Sequence, residues 1–125
     1  PGDHGSTFGG NALTTAAGSA AAKVIVDEGI PALADETGAY FQGKLNALAE
    51  KYDFITEVRG MGLLIAVEMS KEIAGATVTA SLPEGLLMNA VRPNMIRFMP
   101  PLNVTRDEID EAVAILDKVL EETGK

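Results

Sequence analysis

Between Asp53 and Met69 the hydrophobic period of the chain changes from that of a helix to that of a strand, and this switch restricts the fold more than any other feature. From Pro31, a good first helical position, Leu33, Thr37, Phe41, Leu45, Leu48 and Tyr52 recur three or four residues apart, one face of an amphipathic helix ending near Asp53. Gly38 and Gly43 weaken that helix without breaking it. Beyond it, Ile55 to Arg59 and Leu63 to Met69 read as two extended segments around Gly60-Met61-Gly62, which predicts a β-hairpin.

The remaining elements follow the same logic. Asn11 to Glu28 is small and helix-prone, and Gly29 with Ile30-Pro31 ends it. Its small face suits close packing, as core or as interface. Lys71 to Ala80 reads as a poor helix because Thr77, Val78 and Thr79 are stiff at χ1, and Leu82-Pro83-Glu84-Gly85 forces a turn. Short strands are predicted at Leu86 to Val91 and Met95 to Met99, joined through Arg92-Pro93-Asn94 and stopped by Pro100-Pro101. Thr105-Arg106-Asp107-Glu108 fits a capping box for a last helix to about Glu122, with Ile109, Ala112, Val113, Leu116, Val119 and Leu120 on its apolar face. The layout is α+β: a small, mainly antiparallel sheet covered by helices.

At 125 residues the chain is expected to be one domain with a core of its own, residues 1–125. It has no cysteine and one histidine, His4, which removes cysteine-ligated zinc, thiol nucleophiles and His-rich metal sites. A formal charge of −8 repels nucleic-acid backbones and anionic membranes. No apolar run approaches a membrane span, so a cytoplasmic protein is the expectation.

His4-Gly5-Ser6-Thr7-Phe8-Gly9-Gly10-Asn11 places two hydroxyls between glycines, just before the alanine-rich segment. Glycines admit close approach by an anion, hydroxyls donate, and a following helix adds amides and the positive end of its dipole. No Gly-Lys-Ser/Thr follows, so this is not a P-loop, and the glycine intervals do not fit GxGxxG. The alternative is an ordinary glycine-rich lead-in to a helix.

Four segments in order carry a family resemblance. Pro1-Gly2-Asp3-His4-Gly5-Ser6-Thr7-Phe8-Gly9-Gly10-Asn11 resembles the "PGxHGSTFGGN" segment of class III, pyridoxal-phosphate-dependent aminotransferases. Val58-Arg59-Gly60-Met61-Gly62-Leu63 is similar to their "VRGxGL", Gly85-Leu86-Leu87-Met88-Asn89 to "GLLxN", and Ile96-Arg97-Phe98-Met99-Pro100-Pro101-Leu102 to "xRFxPPL". The resemblance covers essentially the whole chain. It implies the C-terminal small domain of a fold-type I enzyme, with residues 1–11 as the cofactor-phosphate loop. The large domain and the Schiff-base lysine, which lies upstream in the family, are then outside this sequence, and no lysine from Lys23 to Lys125 has a matching context. The chain begins at Pro1 and resembles a fragment of something longer, expected to be inactive alone.

By the same resemblance, Thr7 holds the pyridoxal phosphate group, reaching across a homodimer interface into the partner's pocket. Ser6 touches substrate in acetylornithine-type enzymes, and Arg97 pairs with a substrate carboxylate, for which a planar guanidinium is well shaped. Arg97 sits between Ile96 and Phe98 on a short strand and so points away from that apolar pair. Arg59, beside Gly60 and Gly62, reads as structural, His4 as a turn residue, and Glu68, Asn89 and Arg92 carry no assigned chemistry. Ala12 and Thr14-Thr15 depart from the commoner family residues without removing a functional group. The implied reaction moves an amino group between N-acetylornithine, or ornithine, succinylornithine or 4-aminobutyrate, and 2-oxoglutarate. A competing reading is a stand-alone α+β binding or dimerisation module without activity.

Overall fold

A computed structural model describes residues 5–125. Pro1 to His4, which include the start of the expected phosphate loop and the turn histidine, lie outside the described residues. The chain divides into two compact units, Pro1–Ala32 and Leu33–Lys125.

In the first unit, α1 (Ala12–Asp27) follows an N-cap at Asn11, whose side chain accepts from the Leu13 and Thr14 amides, both at 3.1 Å. α1 buries none of its residues, so the alanine-rich face forms no core here. α2 (Ile30–Lys51) begins in the first unit and continues past the boundary after Ala32.

The second unit holds a four-stranded antiparallel sheet: β1 (Ile55–Met61), β2 (Leu64–Met69), β3 (Asn89–Arg92) and β4 (Met95–Phe98), in the order β1-β2-β4-β3. α3 (Ala74–Ser81) connects β2 to β3, and α4 (Arg106–Thr123) closes the chain. Ile65, Val67 and Met69 of β2 and Ile96 and Phe98 of β4 alternate onto one face, where they meet Phe41, Leu45 and Leu48 of α2 and Ile109, Leu116 and Leu120 of α4. Phe41 and Phe98 pack edge-to-face with centroids 5.2 Å apart. The buried stripe of α2 is Ala34, Thr37, Phe41, Leu45 and Leu48; Leu33, expected on it, is exposed.

Several boundaries move for physical reasons. Gly60 and Met61 belong to β1, leaving Gly62 and Leu63 to turn the hairpin. Gly62 has φ +52°, and a Cβ on Gly38 would strike the Gly62 backbone. Gly38 is therefore where α2 crosses the hairpin turn, more than a weak spot in a helix. β3 starts at Asn89 rather than Leu86, because the Leu86 amide still donates to Ser81 O at 3.1 Å, completing the turn after α3. Arg92 ends β3, so Pro93 and Asn94 alone make the turn. α4 carries the expected capping box between Thr105 and Glu108.

Candidate functional site

The face of the sheet opposite the core carries the charge. Cross-strand pairing aligns Arg59 of β1 with Ala66 of β2, Ala66 with Arg97 of β4, and Arg97 with Asn89 of β3. Directly opposed residues share a face, so these four form a row across the sheet. Ala66 keeps the centre of the row low. Two open depressions meet at Arg97: one of about 330 Å³ involving Arg59, Met61, Leu64 and Ala66, and one of about 190 Å³ involving Leu87, Met88, Asn89 and Met99.

The two arginines differ in their partners. Arg59 Nη1 donates to Glu57 and to Glu68, the latter at 2.7 Å, and Nη2 reaches Met95 Sδ at 3.8 Å. The Glu68 hydrogen bond, outweighing partial desolvation, and the nearby Glu57 hold the Arg59 guanidinium even more firmly protonated than usual. Arg97, half-buried between Ile96 and Phe98, has a buried Nε without a hydrogen-bond partner. Among the described residues it has no ion pair. A buried guanidinium N–H left unpaired is costly, and a planar carboxylate satisfies it with two parallel bonds.

Ser6 and Thr7 fall in the other unit. Ser6 Oγ accepts from the Gly9 amide at 3.0 Å, closing a turn, and its own hydroxyl hydrogen has no acceptor among the described residues. Thr7 is exposed, and neither its hydroxyl nor its amide has a hydrogen-bond partner among the described residues. That donor pair suits a phosphate oxygen. The expectation that the first amides of the following helix would also serve an anion is not met at Leu13 and Thr14, whose N–H groups the Asn11 carboxamide occupies.

Arg97 points away from Ile96 and Phe98, as the alternation along its strand predicts, but its surroundings are not readable from that strand. Asn89 lies directly across from Arg97 and borders the same depression, and Glu68 with Glu57 engages Arg59. Only strand register could have brought these residues together. Among the described residues, no cluster of His, Cys, Asp and Glu could hold a metal, and no helix is long and apolar enough to cross a membrane.

Known proteins share this chain's pattern. The family model described as aminotransferase class-III matches residues 1–120. An acetylornithine aminotransferase of Caldanaerobacter subterraneus subsp. tengcongensis is 47% identical over 122 residues, covering 98% of this chain and 31% of the relative. The crystal structure of acetylornithine aminotransferase from Elizabethkingia anophelis superposes with a TM-score of 0.85 at 39% identity, over 98% of this chain and 33% of that one. A lysine aminotransferase from M. tuberculosis gives a TM-score of 0.87 at 26% identity, over 98% and 29%. The chain therefore spans about a third of the length of the proteins it matches.

Proposed function

The chain belongs to the class-III aminotransferase family, and on that premise we propose that it works as the C-terminal small domain of a transaminase moving an amino group between N-acetylornithine, or a similar ω-amino donor, and 2-oxoglutarate. The observation that carries this reading is Arg97: a guanidinium with a buried, unpaired Nε on an open sheet face, where two depressions meet. A dicarboxylate laid on that face gives Arg97 its missing acceptor and fixes the substrate's orientation through a bidentate contact. Asn89, directly opposite, adds a neutral donor at the rim.

In this reading Thr7 donates its hydroxyl and amide to the phosphate of pyridoxal 5'-phosphate, and Ser6 offers its hydroxyl to substrate. The cofactor, when bound, supplies an electron sink for the carbon that exchanges its amino group. This chain's residues bind and orient. The lysine that carries the proton belongs to the large domain of the longer protein, which this domain needs for activity, and the functional form is a cytoplasmic homodimer in which Thr7 serves the partner's pocket. The N-acetylornithine assignment is supported by the acetylornithine aminotransferase of Caldanaerobacter, while the resemblance to a lysine aminotransferase keeps the donor open to test.

The test is steady-state kinetics on the longer protein containing this chain, with N-acetylornithine, ornithine and 4-aminobutyrate as donors. N-acetylornithine should give the highest kcat/KM. Arg97→Ala should raise the KM for 2-oxoglutarate about tenfold or more, the scale of one charged hydrogen bond lost. Thr7→Ala should release cofactor faster on dialysis. Transamination by the 125-residue chain alone, or an unchanged KM in Arg97→Ala, would overturn the proposal. Dimerisation without transamination would favour the stand-alone module.

A further inference from the structure

On the helix-covered side of the sheet, away from the polar row, the second unit holds an apolar cavity of about 110 Å³. Phe41 of α2, Phe98 of β4 and Ile109 of α4 form its buried walls, and Val104 and Ala112 stand half-buried at its sides. α4 leaves this room because the side chain it brings here, one turn after Glu108, is as small as that of Ala112. Among the described residues Glu108 is the only charged residue that borders the cavity. Glu108 Oε2 accepts from the Thr105 amide at 2.8 Å and from the Thr105 hydroxyl at 2.9 Å, whereas Oε1 has no hydrogen-bond or ion-pair partner among the described residues. The Thr105 amide, followed by its hydroxyl, holds the Glu108 carboxyl below its ordinary range, so the rim carries a negative charge at neutral pH.

From this arrangement we propose that the cavity is a binding site for a small apolar ammonium ion, with its hydrocarbon chain among Phe41, Phe98 and Ile109 and its N–H donated to Glu108 Oε1. Apolar walls with one oriented polar group at the rim select a molecule of that kind, and an ionised carboxylate oxygen with no donor of its own is the matching acceptor. Size follows from volume. An engineered apolar cavity of roughly 150 Å³ takes up benzene, and on that scale this one has room for about four carbons. An anion is disfavoured, because it would face Glu108 with no basic side chain on the lining to receive it. The occupant therefore differs in charge from the dicarboxylate assigned to the Arg97 face, and the inference stands on the cavity and Glu108 without that assignment.

The experiment uses the longer protein containing this chain and follows the Ile109 methyl resonance during titration with N,N-dimethylbutylammonium, a tertiary amine that forms no Schiff base. Ile109 should shift in a saturable way. Shortening the chain from butyl to ethyl should weaken binding about tenfold or more, since each buried methylene is worth about fourfold in affinity. 1-Butanol should bind more weakly than the ammonium ion, and butyrate should leave Ile109 unmoved. E108Q removes the charge but keeps the capping box, which glutamine also forms. It should weaken the ammonium about threefold, the scale of an exposed ion pair, and leave 1-butanol unchanged. A112L fills the cavity and should abolish both responses. An unmoved Ile109, equal affinities of the butyl and ethyl compounds, butyrate bound as tightly as the ammonium ion, or an E108Q variant that binds the ammonium like the native protein would overturn the proposal. Should A112L not fold, the chain-length series and E108Q still decide.

Discussion

α1 and α4 are helices of similar length, yet the one richer in small and apolar residues buries nothing, while the one richer in charge supplies much of a core. α1 spreads Leu13, its alanines and Val24-Ile25-Val26 around its circumference, and every residue stays exposed. α4 gathers Ile109, Leu116, Val119 and Leu120 into one stripe and buries all four to 2% exposure or less. α4 gathers its apolar residues into one stripe and has a sheet in its own unit to press it against, whereas the unit of α1 holds no sheet. The ends differ in the same direction. α4 begins with a capping box and Asp107 and Glu108 against its dipole, whereas α1 has the Asn11 cap and no acid in its first turn.

The largest effect that divides the two helices should come from a core leucine. Leu116→Ala should cost about 2–5 kcal/mol, the range for a large-to-small change at a buried site. Leu13→Ala, at a position 79% exposed, should stay within about 0.5 kcal/mol. Urea unfolding followed by tyrosine fluorescence reads the second unit directly, since both tyrosines, Tyr40 and Tyr52, belong to it. Equal losses in the two variants would break the comparison.

Glycine replacements test it next. In α1 a Cβ on Gly18 meets nothing within 4 Å, so Gly18→Ala should gain up to about 1 kcal/mol of helix propensity, seen as raised helicity by circular dichroism. In α2 the same change at Gly38 drives a methyl into the Gly62 backbone. Backbone cannot yield as a flexible side chain does, and overpacking of about 3 kcal/mol exceeds the same gain in propensity. Gly38→Ala should therefore destabilise the second unit by about 2 kcal/mol. A stabilised Gly38→Ala would mean that α2 and the hairpin turn do not touch there.

Gly38 also marks the limit of what the sequence discloses. Features set by neighbours along the chain were legible: the change of period at Asp53, the Thr105 capping box, the hairpin near Gly62, and the outward direction of Arg97 between Ile96 and Phe98. Features set by neighbours across space were not. Gly38 looks like a flaw in a helix until the hairpin turn arrives against it. Asn11 satisfies two of the amides that a glycine-rich loop before a helix offers an anion. Arg59 reads only as structural along the chain because its ion-pair partner Glu68 lies on another strand, and only the register aligns them. Thr7 and Arg97 were named through family resemblance, and periodicity alone would have left both as surface residues.

The smallest effect is electrostatic and concerns only the α4 side of the comparison. α4 is tied to α2 by Asp117 with Lys51 at 2.7 Å and by Asp110 with Lys44 at 2.9 Å; Tyr52 and Tyr40 donate their hydroxyls to the same two carboxylates. The Lys51 hydrogen bond, followed by that of Tyr52, holds the Asp117 carboxyl below its usual range, and Lys44, followed by Tyr40, does the same for Asp110. A carboxyl whose pKa is lower folded than unfolded contributes stability above its unfolded value, and that contribution disappears as pH falls through the folded value. The urea midpoint of the second unit should accordingly decline as pH drops through and below the ordinary carboxylate range. Lys44 and Lys51 are shifted the opposite way, each raised first by its aspartate, so their contribution is complete below the unfolded lysine pKa and is lost as pH rises through the folded one. Asp117→Asn should flatten part of both limbs, because it removes the acid that titrates at one end and the partner that raises Lys51 at the other. These groups are largely exposed, so screening keeps the change well below that of Leu116→Ala. An Asp117→Asn profile that parallels the native one at both extremes would show that packing alone holds α4 against α2.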